Sequence, residues 1–155
     1  MGHLEEQNKS VVQRFGEAQT NRRLDLFDDL VAPDFVRHCQ ATPWVQIRSR
    51  EDFKKFLQDD WAAVPDGRVS SRFLVAEGEY VAVYCTYAGT HTGQWGPIPP
   101  SEKRFELDIS GVFRMADGKI SEFWVTWDNL AVLTQLGHWP PAPDVPNPRG
   151  VTVGP

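Results

Sequence analysis

Long apolar runs are absent from this 155-residue chain, so no stretch of it is suited to cross a bilayer as a helix. The opening MGHLEEQNKS also lacks the apolar core of a secretory signal, and the expectation is a cytoplasmic protein. Cysteine is scarce. Cys39 and Cys85 lie in unrelated segments, form no C-x-x-C, and read as buried thiols. Positive charge is short too: the formal net charge of −5 argues against nucleic acid or an anionic membrane, both of which reward a basic face. The four histidines, His3, His38, His91 and His138, show no H-x-x-x-H or similar spacing, so no dedicated metal site is expected. G-x-S-x-G, the Walker loop and G-x-G-x-x-G are all missing. Aromatics, by contrast, are plentiful. Six Trp, nine Phe and three Tyr suit a packed core, and they equally suit a pocket for a flat or polycyclic ligand.

The first half of the chain has helical periodicity. Val11, Val12, Phe15 and Ala18 share one face of a helix from about Glu5 to Thr20. Asp25 can cap a short second helix carrying Phe27, Leu30 and Val31, closed by Pro33. Phe35 to His38 reads as a brief extended piece. Ser49-Arg50-Glu51-Asp52 resembles a capping box, and the helix it opens places Phe53, Phe56, Leu57 and Trp61 together. Beyond Pro65-Asp66-Gly67 the period changes to two. Strands are predicted around 69–76, over Tyr80–Thr90, over Arg104–Met115 and over Lys119–Trp127, the last pair joined by an Asp117-Gly118 turn. Leu130, Leu133 and Leu136 form a short terminal helix stopped by Gly137. Residues 138–155 hold six of the twelve prolines and read as an arm beyond a domain of residues 1–137. Helices first and consecutive antiparallel strands after them mean an α+β fold: a cone-shaped barrel with N-terminal helices on a strongly curved sheet.

Four segments, LFDDLVAPDFVRH, GTHTGQWGPIPP, FRMADGKISEFW and WDNLAVLTQLG, occur in an order that resembles the SnoaL-like polyketide cyclases, also called ester cyclases, of the nuclear-transport-factor-2-like cone fold. The likeness spans roughly Glu5 to Gly137. It implies an enzyme without metal or cofactor that closes a ring by intramolecular aldol condensation of a carbonyl-rich or polycyclic intermediate of secondary metabolism. It also implies a hydrophobic or aromatic small-molecule partner and a homodimer formed through the convex sheet face. In that family an aspartate at the end of the last long strand is the general acid/base, and Asp128 holds the matching place. A histidine two residues earlier in the family is Thr126 here.

The residues themselves allow more than one role for Asp128. It precedes Asn129-Leu130 at a helix start, where Asp is a preferred cap; yet it shares strand parity with Trp124, and a carboxylate facing an indole-walled cavity would have its pKa raised. The other candidates are His38 and His91 as proton-handling partners, Tyr84 and Trp44 as substrate contacts, and Asp108 with Ser110 on one face of the third long strand, a face that meets either water or a polar cavity. Asp108, Arg72 and Asp128 offer an alternative Asp-Arg-Asp set for epoxide hydrolysis. Isomerase, dehydratase or hydroxylase chemistry in the same cone is a further alternative, as is a non-catalytic binding or assembly domain whose cone is filled by Trp and Phe.

Overall fold

The computed structural model describes residues 2–139. Helix α1 (His3–Thr20) is followed by a 3-10 turn (Leu24–Leu26), α2 (Phe27–Leu30), strand β1 (Val31–His38) and α3 (Arg50–Ala63). Strands β2 (Arg68–Glu77), β3 (Tyr80–Thr90), β4 (Arg104–Ala116) and β5 (Lys119–Trp127) then lead into α4 (Asn129–Gln135). They form one five-stranded sheet in the order β1-β5-β4-β3-β2. Neighbours in the run β2 to β5 are antiparallel, whereas β1 pairs parallel with β5, which makes the α+β sheet mixed. The expected second helix is cut short. Val31 and Pro33 belong to β1, because a β-branched residue and a residue without an N–H both favour extended chain, and Pro33 falls in the unpaired stretch of an edge strand.

The start of α3 follows its sequence closely: Ser49 Oγ accepts from the Asp52 amide at 3.0 Å, and the Asp52 carboxylate in turn accepts from the Arg48 amide at 3.0 Å. Register shifts between Ser71 and Phe73, between Val31 and Val36, and between Arg114 and Met115 interrupt the ladders, and such bulges bend a sheet. The concave face receives α1 and α3. Its core is aromatic: Phe15 meets Phe27 at 5.5 Å and Phe53 at 5.8 Å, Phe35 stacks on Phe53 at 4.7 Å, and Phe113 stacks on Phe123 at 3.9 Å. A second cluster, with Val64, Phe105, Leu107, Val132 and Leu136, packs α4 against β4 and the end of α3.

Along β3, β4 and the second half of β5 the alternation is regular. Val81, Val83, Cys85 and Tyr87 on β3, Phe105 and Leu107 on β4, and Phe123 and Val125 on β5 are buried inward. Their alternates point to the convex side. Of the two thiols, Cys85 is buried and Cys39 only half-buried; both are free. Pro140 to Pro155, most of the proposed arm, lie outside the described residues.

Phe27 is wholly buried beneath Phe15 and Phe53. Phe27→Ala is therefore expected to lower unfolding free energy by about 3–5 kcal/mol, a loss read from urea or thermal denaturation.

Candidate active site

Between the concave sheet and the two long helices lies an inner chamber of about 120 Å³, lined by apolar side chains such as Phe15, Phe53, Val83, Leu107 and Val125. It shares Thr42, Phe56, Asp60, Trp95 and Trp127 with a mouth of about 420 Å³ that Trp44, Val45, Gln94 and Asn129 help to line. An apolar funnel with a few polar groups at its throat is the usual form of a small-molecule site.

Asp60 is the carboxylate at that throat. Its position follows from α3: it lies four residues after Phe56 and three after Leu57, so the helix turns it inward with the apolar stripe. It is only 9% exposed, and its Oδ2 accepts a 2.8 Å hydrogen bond from the Tyr87 hydroxyl of β3. Burial pushes the Asp60 pKa up to about 6, against the opposing pull of hydrogen bonds from Tyr87 and Trp95 and the charges of Arg37 and Arg22. The same burial, together with the Asp60 charge, raises the Tyr87 phenol above its ordinary range, so this hydroxyl remains a donor. Burial also takes the Cys85 thiol up to about 11, which keeps it protonated.

The loop between β3 and β4 closes one side of the funnel. The Thr92 and Gly93 amides both donate to the Ala63 carbonyl at 3.0 Å, which anchors the loop to the end of α3 just beyond Asp60. Trp95 and Ile98 exchange two 2.9 Å backbone hydrogen bonds, forming a tight hairpin that presents the Trp95 ring. Trp44 lies over Gly96, whose φ of 57° suits glycine and where any side chain would collide with the indole.

Of the residues singled out from the sequence, Trp44 does line the mouth. Asp128 lines neither chamber: it is exposed and caps α4, its Oδ1 accepting from the Ala131 amide at 3.1 Å. Its neighbours face the mouth instead, Trp127 Nε1 donating to Asn129 Oδ1 at 2.8 Å and Asn129 Nδ2 donating to the Ala41 carbonyl at 2.6 Å. The expectation that Trp124 and Asp128 share a cavity wall is corrected. The inward parity of β5 is that of Phe123, Val125 and Trp127, and Trp124 is 39% exposed on the convex face. There it stacks at 5.3 Å on His38, whose Nε2 lies 2.6 Å from Glu122 Oε2.

Ser110 and Thr126 pair across β4 and β5 in a shallow groove of the same outer face, away from the funnel. Tyr84 also points outward, donating to Asp108 at 2.9 Å, and Arg72 reaches Asp108 at 3.3 Å. Arg72 and Asp108 thus do meet, but on the convex face and without Asp128. His91 is fully buried in the loop, with Nδ1 3.1 Å from Ser101 Oγ and its ring against Trp95 and His138. Burial, and then the nearby His138, lower its pKa, so the ring is neutral and ties down the loop rather than facing either chamber.

Asp60, Tyr87 and Arg37 were not anticipated, although a carboxylate at a core position of an amphipathic helix was a legible signal. Among the described residues no group of three His, Cys, Asp or Glu side chains is placed to hold a metal ion.

Comparison with known proteins agrees with this architecture. Residues 9–136 match the family described as SnoaL-like polyketide cyclase. The chain belongs to that family. A nogalonic acid methyl ester cyclase of Streptomyces nogalater is 26% identical, the match covering 76% of this chain and 89% of that protein. The crystal structure of IdmH, a candidate polyketide cyclase from Streptomyces antibioticus, superposes with a TM-score of 0.73 at 30% identity, covering 84% of this chain and 98% of that one. An epoxide hydrolase from M. tuberculosis has the same fold at a TM-score of 0.68 and 22% identity, covering 86% and 92% of the two chains. SnoaL-like cyclases thus share their cone with other chemistries, and the site has to decide between them.

Unfolded, the Asp60 side chain ionises near its ordinary 3.8; folded, it does so only near 6. Between these values the folded state keeps a proton that the unfolded state has lost, so this group's stabilising contribution is full below pH 3.8 and is lost as pH rises through 6. Asp60→Asn is accordingly expected to raise unfolding free energy at pH 7 by up to about 3 kcal/mol relative to wild type. The difference should vanish near pH 3 in paired denaturant titrations.

Proposed function

We propose that this chain is a cofactor-free enzyme that closes a ring in a carbonyl-rich small molecule by intramolecular aldol chemistry, with Asp60 as general acid/base. The observation that carries the reading is a buried carboxylate, its pKa moved to about 6, at the throat of an apolar funnel that reaches solvent. A cone filled by its own aromatics would instead have favoured a purely structural or assembly role.

In the reaction, ionised Asp60 takes a proton from the carbon beside a carbonyl. The enolate carbon attacks a second carbonyl of the same molecule, forming the new C–C bond. Protonated Asp60 then returns its proton to the resulting alkoxide, so substrate and product are isomers and the carboxylate is regenerated. A pKa near the working pH suits both halves of this cycle. Tyr87 fixes the carboxylate's orientation through its 2.8 Å hydrogen bond. The apolar walls keep bulk water from quenching the enolate. Relatives named as cyclases support the reaction class, and the outward placement of Arg72 and Asp108 supports it over an Asp-Arg-Asp hydrolase.

The decisive comparison uses a deletion strain of the source organism, complemented with wild type, Asp60→Asn or Asp128→Asn and profiled by mass spectrometry. Wild type and Asp128→Asn, which keeps an oxygen to cap α4, are expected to restore a cyclised product. Asp60→Asn is expected to accumulate an open isomer of equal mass, with at least a hundredfold loss of turnover. On the isolated substrate kcat/KM should fall as pH drops below about 6, since the base must be ionised. If Asp128→Asn is the inactive variant and Asp60→Asn turns over normally, the acid/base role passes to Asp128.

We further propose that two copies associate through their convex sheet faces. Phe73, Val75, Tyr80, Val112 and Trp124 are large apolar side chains exposed on that face. The charges among them are already matched, Arg72 with Asp108 and Arg114 with Glu122, so the face does not repel a copy of itself. Light scattering at micromolar concentration is expected to give twice the 17.6 kDa chain mass, and Phe73→Glu combined with Val112→Glu the single chain mass. A wild-type monomer would refute the association.

A further inference from the structure

Four arginines of this protein have carboxylate partners: Arg23 with Asp25, Arg50 with Asp28, Arg72 with Asp108 and Arg114 with Glu122. Arg37 is different. It lies on the inward side of β1, lines the inner chamber, and forms no ion pair with any described carboxylate. Its guanidinium carbon sits 4.5 Å from the Phe56 ring centre and 5.7 Å from that of Trp127. Nη1 donates to Thr42 Oγ1 at 3.1 Å, and the Cys39 thiol is a further contact. A guanidinium has five N–H donors, and these contacts leave several of them uncommitted.

Burial disfavours such a cation, and the aromatic faces of Phe56 and Trp127 offset only part of that cost. The titratable groups around it are Asp60 from α3, Tyr87 and Cys85 from β3, and Cys39 just past the end of β1. Asp60 is the one acid among them that ionises near neutral pH, and it accepts its hydrogen bond from Tyr87 rather than from Arg37. A cation and a carboxylate thus face one small chamber without touching.

We propose that Arg37 forms an oxyanion subsite in the inner chamber, taking the delocalised negative oxygen of a planar enolate or phenolate that enters through the mouth. The assignment deepens the acid/base reading. Asp60 removes a proton from carbon, the charge moves onto the carbonyl oxygen, and Arg37 receives that oxygen through its free N–H groups. Stabilisation aimed at the place where charge develops, in a site largely emptied of water, is worth far more than the same contact in solvent. The guanidinium is held in place beforehand by Thr42 and by its aromatic neighbours.

The test reads binding, so that it stands apart from turnover. The probe is 4-nitro-1-naphthol at pH 8, where it is an anion, against its methyl ether, which has the same rings and no charge. Affinities come from calorimetry on the full chain. Wild type is expected to bind the anion at least tenfold more tightly than the ether. Arg37→Gln should lose at least tenfold for the anion while changing less than twofold for the ether, which reports an intact chamber. Arg37→Lys, which keeps the charge but not the planar fork, should fall between them.

An anion-to-ether ratio in Arg37→Gln within twofold of wild type overturns the inference. So does a wild type that binds the ether as tightly as the anion, a result that needs no variant to fold. Should Asp60→Asn retain turnover while Arg37 still selects the anion, the acid/base role of Asp60 falls and the subsite remains. Should Arg37→Gln select the anion while Asp60→Asn is inactive, the reverse holds.

Discussion

A buried carboxylate has to be held, and the arrangement around Asp60 explains why several separate parts of the chain meet where they do. The charge lies on α3, its main donor is the Tyr87 hydroxyl at 2.8 Å on β3, and a second donor, Trp95, arrives on a loop anchored to the last turn of α3. Without those donors the pKa would stand higher still; with Arg37 in direct contact the carboxylate would be held as an ion pair. The pKa of about 6 is the balance between these limits. The loop, the hairpin at Trp95 and the close approach of Trp44 to Gly96 are therefore part of the same electrostatic arrangement, although none of them carries charge.

Most of the scaffold was legible from local pattern because the forces that form it are local. The capping residues of α3, the period-two runs of β3 and β5 and the Asp117-Gly118 turn each express a short-range preference, and each occurs where those preferences put it. The parallel pairing of β1 with β5 was not legible. Val31 and His38 meet partners some 86 to 89 residues away, and nothing in eight residues of edge strand announces which neighbour will accept them.

The site was harder to read, and the reason is parity. A strand turns all its side chains over when its register moves by one, so an error at one residue moves a whole set of candidates to the wrong side of the sheet. Trp124 and Tyr84 face outward against the expectation of a cavity wall, and Asp108 and Ser110, which the sequence leaves between water and a polar cavity, take the outer side with them. The apolar alternates Phe123, Val125 and Trp127 gave the correct answer by composition alone. Phe73 and Val75 add a second complication. The shift after Ser71 turns them outward although the simple alternation groups them with Val69 and Ser71, which line the chamber.

The same parity bears on Thr126, the position at which the family resemblance implies a histidine. Thr126 is exposed, and in this sheet any residue at that position points away from both chambers. A histidine there would have no access to the funnel, so its absence leaves the proposed acid/base role of Asp60 untouched. The outer groups His38, Glu122 and Arg114 form a matched cluster of their own beside Trp124. Polar residues on the two sides of one sheet thus differ in arrangement: inside, Arg37 and Asp60 face one chamber without an ion pair, whereas outside Arg72 pairs with Asp108 and Arg114 with Glu122.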